Sequence, residues 1–147
     1  MTSPVLNQIN LVVRDVQKAI AFWREFGLDV EEARHPDWVR HHATVVFPNG
    51  TRLELDSETF AKQWNPGFNS AVGHGLPGVL FFQVPSPADV DGLFARVTGA
   101  GYRAQSKPRD AFWGARYAII EDPDGNSVGI MSPTVDEKRF APPAAPG

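Results

Sequence analysis

Apolar and polar residues alternate along Gln8–Val13, with Ile9, Leu11 and Val13 on one side and Gln8, Asn10 and Val12 on the other. This two-residue period predicts a half-buried strand. The period then lengthens. Asp15 is placed to cap a helix, Val16, Ala19, Ile20 and Trp23 follow at helical spacing, and Gly27 is the stop. Residues 28–32 return to an extended pattern. Two short apolar runs, 43–47 and 51–55, then flank Pro48-Asn49-Gly50. Asn-Gly between such runs signals a hairpin, because a tight two-residue turn needs positive φ.

The stretch 62–78 (KQWNPGFNSAVGHGLPG) is dense in Gly, Pro and Asn and reads as a linker. After it the pattern restarts. Residues 79–84 (VLFFQV) form a strand. Ser86-Pro87-Ala88-Asp89 starts a helix with a serine cap, a proline in the first turn and an acid at the third position. Val90, Leu93, Phe94 and Val97 make its apolar stripe, and Gly99 and Gly101 end it. A short strand at 102–105 follows, and then Arg116–Glu121 and Ser127–Met131 flank the turn Asp122-Pro123-Asp124-Gly125-Asn126. In that turn the Asp and Asn side chains cap and Gly supplies positive φ.

The order is therefore βαβββ, twice. The halves align, with Gly50 over Gly125 and Glu54 over Gly129 at the same shift, as expected of one duplicated unit. A half of this size cannot bury both faces of its sheet alone. The fold class expected is α+β: one domain over 5–133, with module one at 5–60, a linker at 61–78 and module two at 79–133, and a loose Pro/Ala-rich tail at 134–147. Helices outside a cupped mixed sheet leave a concave inner face, where a ligand would sit.

Composition narrows the classes. With 147 residues, 42% hydrophobic and 21% charged, the chain reads as an ordinary globular domain. A net charge of −3 argues against nucleic-acid binding, which needs a basic face. The absence of cysteine excludes disulfides, thiolate zinc sites and cysteine nucleophiles. The opening MTSPVLNQINLVV lacks a basic-then-apolar leader and no apolar run approaches a membrane span, so a cytoplasmic protein is expected.

Two stretches carry a family resemblance. QINLVVRDVQKAIAFWREFGLDV and, more specifically, FWGARYAIIEDPDGNSVGIMSP resemble the opening and closing motifs of the vicinal-oxygen-chelate superfamily, the glyoxalase, bleomycin-resistance and dioxygenase relatives. The resemblance implies paired βαβββ modules, often in a homodimer. It does not imply one activity, since the family holds metal-dependent isomerases, epimerases and dioxygenases, thiol transferases, and metal-free proteins that sequester antibiotics.

In the metal-dependent members, donors come from the start of each module's first strand and from each module's last strand. Those positions here are Gln8, Glu54, Val79 and Gly129. Valine and glycine have no donor atom, and a divalent ion needs three or more converging donors. His42, or its neighbour His41, opens a strand that borders the cup, whereas His74 lies in the linker out of register. The expectation is therefore a binding protein without a cofactor, with a divalent metal or Glu54 as general base as the alternative.

Aromatic residues are abundant, with ten Phe, four Trp and two Tyr. Phe22, Trp23, Phe82 and Phe94 fall on core phases. Phe81 shares the inner parity of Val79 and Gln83. Trp38, Phe112 and Trp113 lie in polar stretches, the last two ending a loop (SKPRDAFWG) that reads as a rim or lid. Phe60, Trp64 and Phe68 lie in or beside the linker. Arg116 belongs to the Trp-Gly-x-Arg motif and is expected to bind an acidic ligand group or to pair with Glu54 or another carboxylate. The candidate ligand-binding set is Gln8, Asn10, Trp38, His42, Arg52, Glu54, Phe81, Gln83, Phe112, Trp113 and Arg116. The partner expected is an aromatic or peptide-like small molecule.

Overall fold

The computed structural model describes residues 3–69 and 71–144. Its chain forms two compact units, Met1–Gly75 and Leu76–Gly147. Each holds one four-stranded mixed sheet, and the chain carries three α-helices among the described residues. The α+β class and the repeated βαβββ order read from the sequence are both present.

In the first unit, β1 (Gln8–Val13) leads into α1 (Val16–Phe26), followed by β2 (Glu31–Glu32), β3 (His42–Val46) and β4 (Arg52–Ser57), in the sheet order β1-β4-β3-β2. Asp15 caps α1 by accepting a hydrogen bond from the Lys18 amide, and Gly27 ends it at φ +105°. The helix buries Val16, Ala19, Ile20, Phe22, Trp23 and Phe26. Leu11 and Val13 of β1, Ala43 and Val45 of β3, and Leu53 and Leu55 of β4 complete this core. Each large side chain so buried contributes about 1.5–3 kcal/mol relative to exposure.

One element escapes the pattern. Helix α2 (Glu58–Trp64) starts on a Ser57 cap and runs through positions 61–64, which read as linker in the sequence. The strand expected at 28–32 shrinks to Glu31–Glu32.

The second unit repeats the plan with β5 (Val79–Gln83), α3 (Pro87–Gly99), β6 (Ala104–Asp110), β7 (Arg116–Glu121) and β8 (Ser127–Met131), in the order β5-β8-β7-β6. The register repeats along with the topology. Gln8 pairs with Arg52 in the parallel β1/β4 ladder, and Val79 pairs with Ser127 in the parallel β5/β8 ladder. Val90, Val97, Ala118, Ile120, Val128 and Ile130 are buried, while Phe82 and Phe94 are only half-buried. Asp122 shapes the β7/β8 turn by accepting hydrogen bonds from the amides of Asp124 (2.9 Å) and Asn126 (2.8 Å) and from the Asn126 side chain (2.8 Å).

Two further expectations change. Lys107–Asp110 is not a free loop but part of β6, an edge strand with two register shifts, which accommodates Pro108. Nor is the segment after 133 loose at its start. The Val135 amide bonds the Gly114 carbonyl and the Phe140 amide bonds the Phe112 carbonyl. Gly114, at φ +89°, lets the Val135 backbone pass where a Cβ would collide with its carbonyl. The last three residues of that tail, like Met1 and Thr2 at the start of the chain, lie outside the described residues.

Candidate functional site

Each sheet has one face covered by its long helix, α1 or α3, and an opposite, open face, which in the first unit α2 borders through Phe60. In the first unit, pleat parity sends Gln8, Asn10, His42, Thr44, Arg52, Glu54 and Asp56 to the open face. Two of these are acids with almost no exposure, Glu54 at 3% and Asp56 at 0%. A buried carboxylate must be paired or hydrogen-bonded, and both are. Asp56 accepts from Asn10 Nδ2 through Oδ2 (2.8 Å) and from His42 Nδ1 through Oδ1 (2.7 Å). Glu54 accepts from Arg52 Nε through Oε1 (2.7 Å) and from the Thr44 hydroxyl through Oε2 (2.5 Å). His42 Nε2 lies 3.2 Å from Thr44 Oγ1 and 3.4 Å from Glu54 Oε2. Gln8 donates to Asn10 Oδ1 at 2.8 Å.

His42 thus stands between two carboxylates. The bond to Asp56 holds its pKa above the ordinary imidazole range. Burial works against this, and the charges of Asp56 and Glu54 reinforce it. Its ring meets Phe60 of α2 edge-on at 5.5 Å, and Phe60 in turn meets Trp38 at 4.9 Å. Trp38 itself sits in a short 3-10 turn, Pro36–Trp38, and is 38% exposed.

The open face of the second unit is aromatic. Phe81 and Tyr117 approach edge-on at 6.3 Å, and Trp113 stacks on Tyr117 at 5.4 Å with ring planes 27° apart. Phe112 meets Trp113 edge-on at 5.1 Å. The Arg109 guanidinium lies over the Tyr117 ring at 5.2 Å and its Nε bonds the phenol oxygen at 2.7 Å. Gln83 is exposed on the same face of β5 as Phe81. Arg116 takes no part in this cluster. It bonds Asp91 of α3 (2.9 Å) and Asp110 of β6 (3.1 Å), not Glu54, so it ties helix to sheet edge.

The four donor positions inherited from the resemblance do not fit a divalent ion. Val79 offers no lone pair, and both Glu54 oxygens are occupied. Gly129 pairs with Phe81 across β5/β8, and a Cβ at 129 would overlap the Phe81 ring. The place where a donor side chain would leave β8 is therefore filled by phenyl. Among the described residues, no group of three or more His, Cys, Asp or Glu side chains is arranged to hold a metal ion.

Sequence reasoning gathered Gln8, Asn10, His42, Arg52 and Glu54, which the first unit brings together, and Phe81, Phe112 and Trp113, which belong to the second unit's aromatic series. It missed Thr44, Asp56, Arg109 and Tyr117. Parity could have found Asp56 and Thr44, since they share a face with Glu54 and His42.

Comparison with known proteins agrees with this architecture. The profile of the Glyoxalase/Bleomycin resistance protein/Dioxygenase superfamily matches residues 5–130. The chain belongs to that superfamily. It is 32% identical over 131 residues to the uncharacterized protein YraH of Bacillus subtilis, covering 85% of this chain and 95% of that one. A glyoxalase-related enzyme from Fulvimarina pelagi shares the fold with a TM-score of 0.75 at 20% identity, covering 90% of this chain and 89% of that chain. A lactoylglutathione lyase from Agrobacterium tumefaciens does so at 0.66 and 21%, covering 89% and 95% respectively. Among the described residues, no helix is long and apolar enough to cross a membrane.

Proposed function

We propose that this chain is a small-molecule-binding member of its superfamily that holds a flat ring by stacking and uses no divalent ion. One observation carries the reading: Phe81 occupies the space next to Gly129, where a metal-binding side chain would have to stand. The ion-binding position of that module has been given over to an aromatic surface. Phe81 (44% exposed), the Tyr117–Trp113 stack and Phe112 (36% exposed) offer ring faces and edges to a ligand. Each stacking contact adds about 0.5–1.5 kcal/mol beyond buried area, so two or three give useful affinity without chemistry. Sequestration of an aromatic or peptide-like antibiotic or metabolite needs only that affinity.

Calorimetry and tryptophan quenching against a panel of aromatic antibiotics test the reading, with Trp113→Phe identifying the responding indole. Saturable one-to-one binding that weakens in Phe81→Ala supports it. No binding, together with a dimer in sedimentation whose contact is lost in Phe81→Ala, would reassign the rings to a subunit interface.

The Asp56–His42 pair favours a second reading, an acid–base enzyme in which Asp56 fixes the imidazole and His42 or Glu54 moves a proton. Turnover of a small carbonyl substrate that disappears in both His42→Gln and Glu54→Gln would select it.

A further inference from the structure

A hollow of about 370 Å³ opens on the first unit, lined by Glu31, Glu32, Arg34, His42, Thr44 and Arg52 with Ala33 and Val46. The hydrogen-bonding capacity of its wall is spent unevenly. Most acceptors are committed. Glu32 takes bonds from Gln17 (3.2 Å) and Arg24 (3.1 Å), while the exposed Glu31 only faces Arg34 at 3.7 Å. Glu54, behind the wall, has both oxygens filled, and Asp56 likewise. The donors are not all committed. Arg52 gives only its Nε to Glu54, and its side chain is 47% exposed. A guanidinium presents five N–H donors, so its terminal amino groups remain for a ligand. His42 is 30% exposed and lines the same hollow.

We propose that this hollow is a subsite for an oxyanion, the carboxylate or phosphate group of a small molecule, gripped by the Arg52 guanidinium with the His42 ring beside it. Two nearly inaccessible acids orient these side chains, Glu54 through Arg52 Nε and Asp56 through His42 Nδ1. Such backing fixes a fork of donors before the ligand arrives, which lowers the ordering cost of binding. The acids also offset the charge of the two cations. The net attraction is therefore modest, and binding is expected to be weak and salt-sensitive. The residues of the subsite all belong to the first unit, on β2, β3, β4 and the turn after β2, and none belongs to the second unit's aromatic series.

The groups facing His42 are Asp56, Glu54 and Arg52 from β4, Thr44 from β3 and Phe60 from α2. Of these, Asp56 and Glu54 favour the charged ring and Arg52 opposes it. Anion binding should therefore hold while the ring is protonated and weaken as pH rises past the raised imidazole value.

The test is NMR of the arginine Nε–H and imidazole signals during titration with sodium benzoate and, separately, phenyl phosphate at constant ionic strength. Saturable shifts at Arg52, His42 and Thr44 are expected with at least one probe, and the tighter arm identifies the preferred oxyanion. Arg52→Gln should weaken binding about tenfold, the loss of one charge-assisted bond, and Arg52→Lys should retain part of it. Should Arg52→Gln fail to fold, the wild-type pH series decides: binding that weakens as pH rises above the unperturbed imidazole value of about 6.5 supports the subsite. Shifts that never saturate, or that are unchanged in Arg52→Gln and across pH, overturn it. Because neither probe titration reads Trp113, loss of this subsite would leave the stacking proposal standing.

Discussion

The two units share a topology and a strand register, yet their open faces carry opposite chemistry. Asn10 faces Glu54 in the first and Phe81 faces Gly129 in the second, at matching places in the ladder. One face became a hydrogen-bonded chain running Asn10–Asp56–His42–Thr44–Glu54–Arg52, and the other became a series of rings over a glycine. The duplicated backbone is indifferent to the choice, because a sheet fixes where a side chain points and not what it is. With no donors on the second unit's face, the buried polar groups of the first are stable only if they satisfy one another. That is what the first unit shows.

The sharpest way to break this contrast is Gly129→Glu, which restores a donor where a related module carries one. The new side chain must displace the Phe81 ring and bring a charge into an aromatic surface, and a loss of about 3 kcal/mol or more in urea denaturation is expected. Adding Phe81→Ala should return much of it. If Gly129→Glu alone were as stable as wild type and took up stoichiometric zinc or manganese by elemental analysis, the contrast between the units would be wrong.

Next in size is Asp56→Ala in the first unit. Removing the acid strips the part-buried His42 and Asn10 side chains of a shared acceptor, costing about 1–3 kcal/mol. The His42 pKa should fall, because its largest raising influence is gone, and an NMR titration of the ring reads this directly.

Gly114→Ala probes the strap that packs behind the second unit's rings, beside Trp113. A Cβ there meets the Val135 carbonyl on a left-handed backbone, so the anchored segment 135–140 should detach at a cost of about 1–3 kcal/mol. Faster amide exchange at Val135 and Phe140 would be the sign of it. Unchanged exchange would show that the segment is not held there.

The smallest effect is a pH slope. A histidine with a raised folded-state pKa stabilises the fold fully below its unfolded value of about 6.5, and that contribution fades as pH rises through the folded value. Wild-type unfolding free energy should therefore decline across that alkaline-going window, and His42→Gln should flatten the decline. Asp122 adds a second slope at lower pH. Burial pushes its carboxyl up despite the bonds from Asn126 and Asp124, so its contribution too is greatest below its unfolded value and is lost as pH rises through the folded one. A decline that persists unaltered in His42→Gln would place the titrating group elsewhere.

Much of the frame was legible because it rests on local rules. The Asp15 and Ser86 caps, the glycines at 27, 50 and 125 and the period switches are set by nearest neighbours along the chain. The misses have a shared cause. β6 is an edge strand with little burial, so no apolar alternation marks it. α2 is seven residues long with one fully buried residue, too short for a periodic signal. The strap at 135–140 depends on a carbonyl of Gly114 and one of Phe112, well removed in sequence.

Sequence by itself determined the repeated βαβββ order, and that valine and glycine stand at two of the positions the family resemblance assigns to donors, since residue identity needs no coordinates. Only the tertiary structure decided that Asp56 is inaccessible, that it reaches His42 across a strand pair, that Arg116 is spent on Asp91 and Asp110, and that Phe81 fills the space beside Gly129. Burial and pairing of a polar side chain depend on which strands lie beside it. That is a property of the sheet, formed by residues tens of positions apart, and no local pattern encodes it.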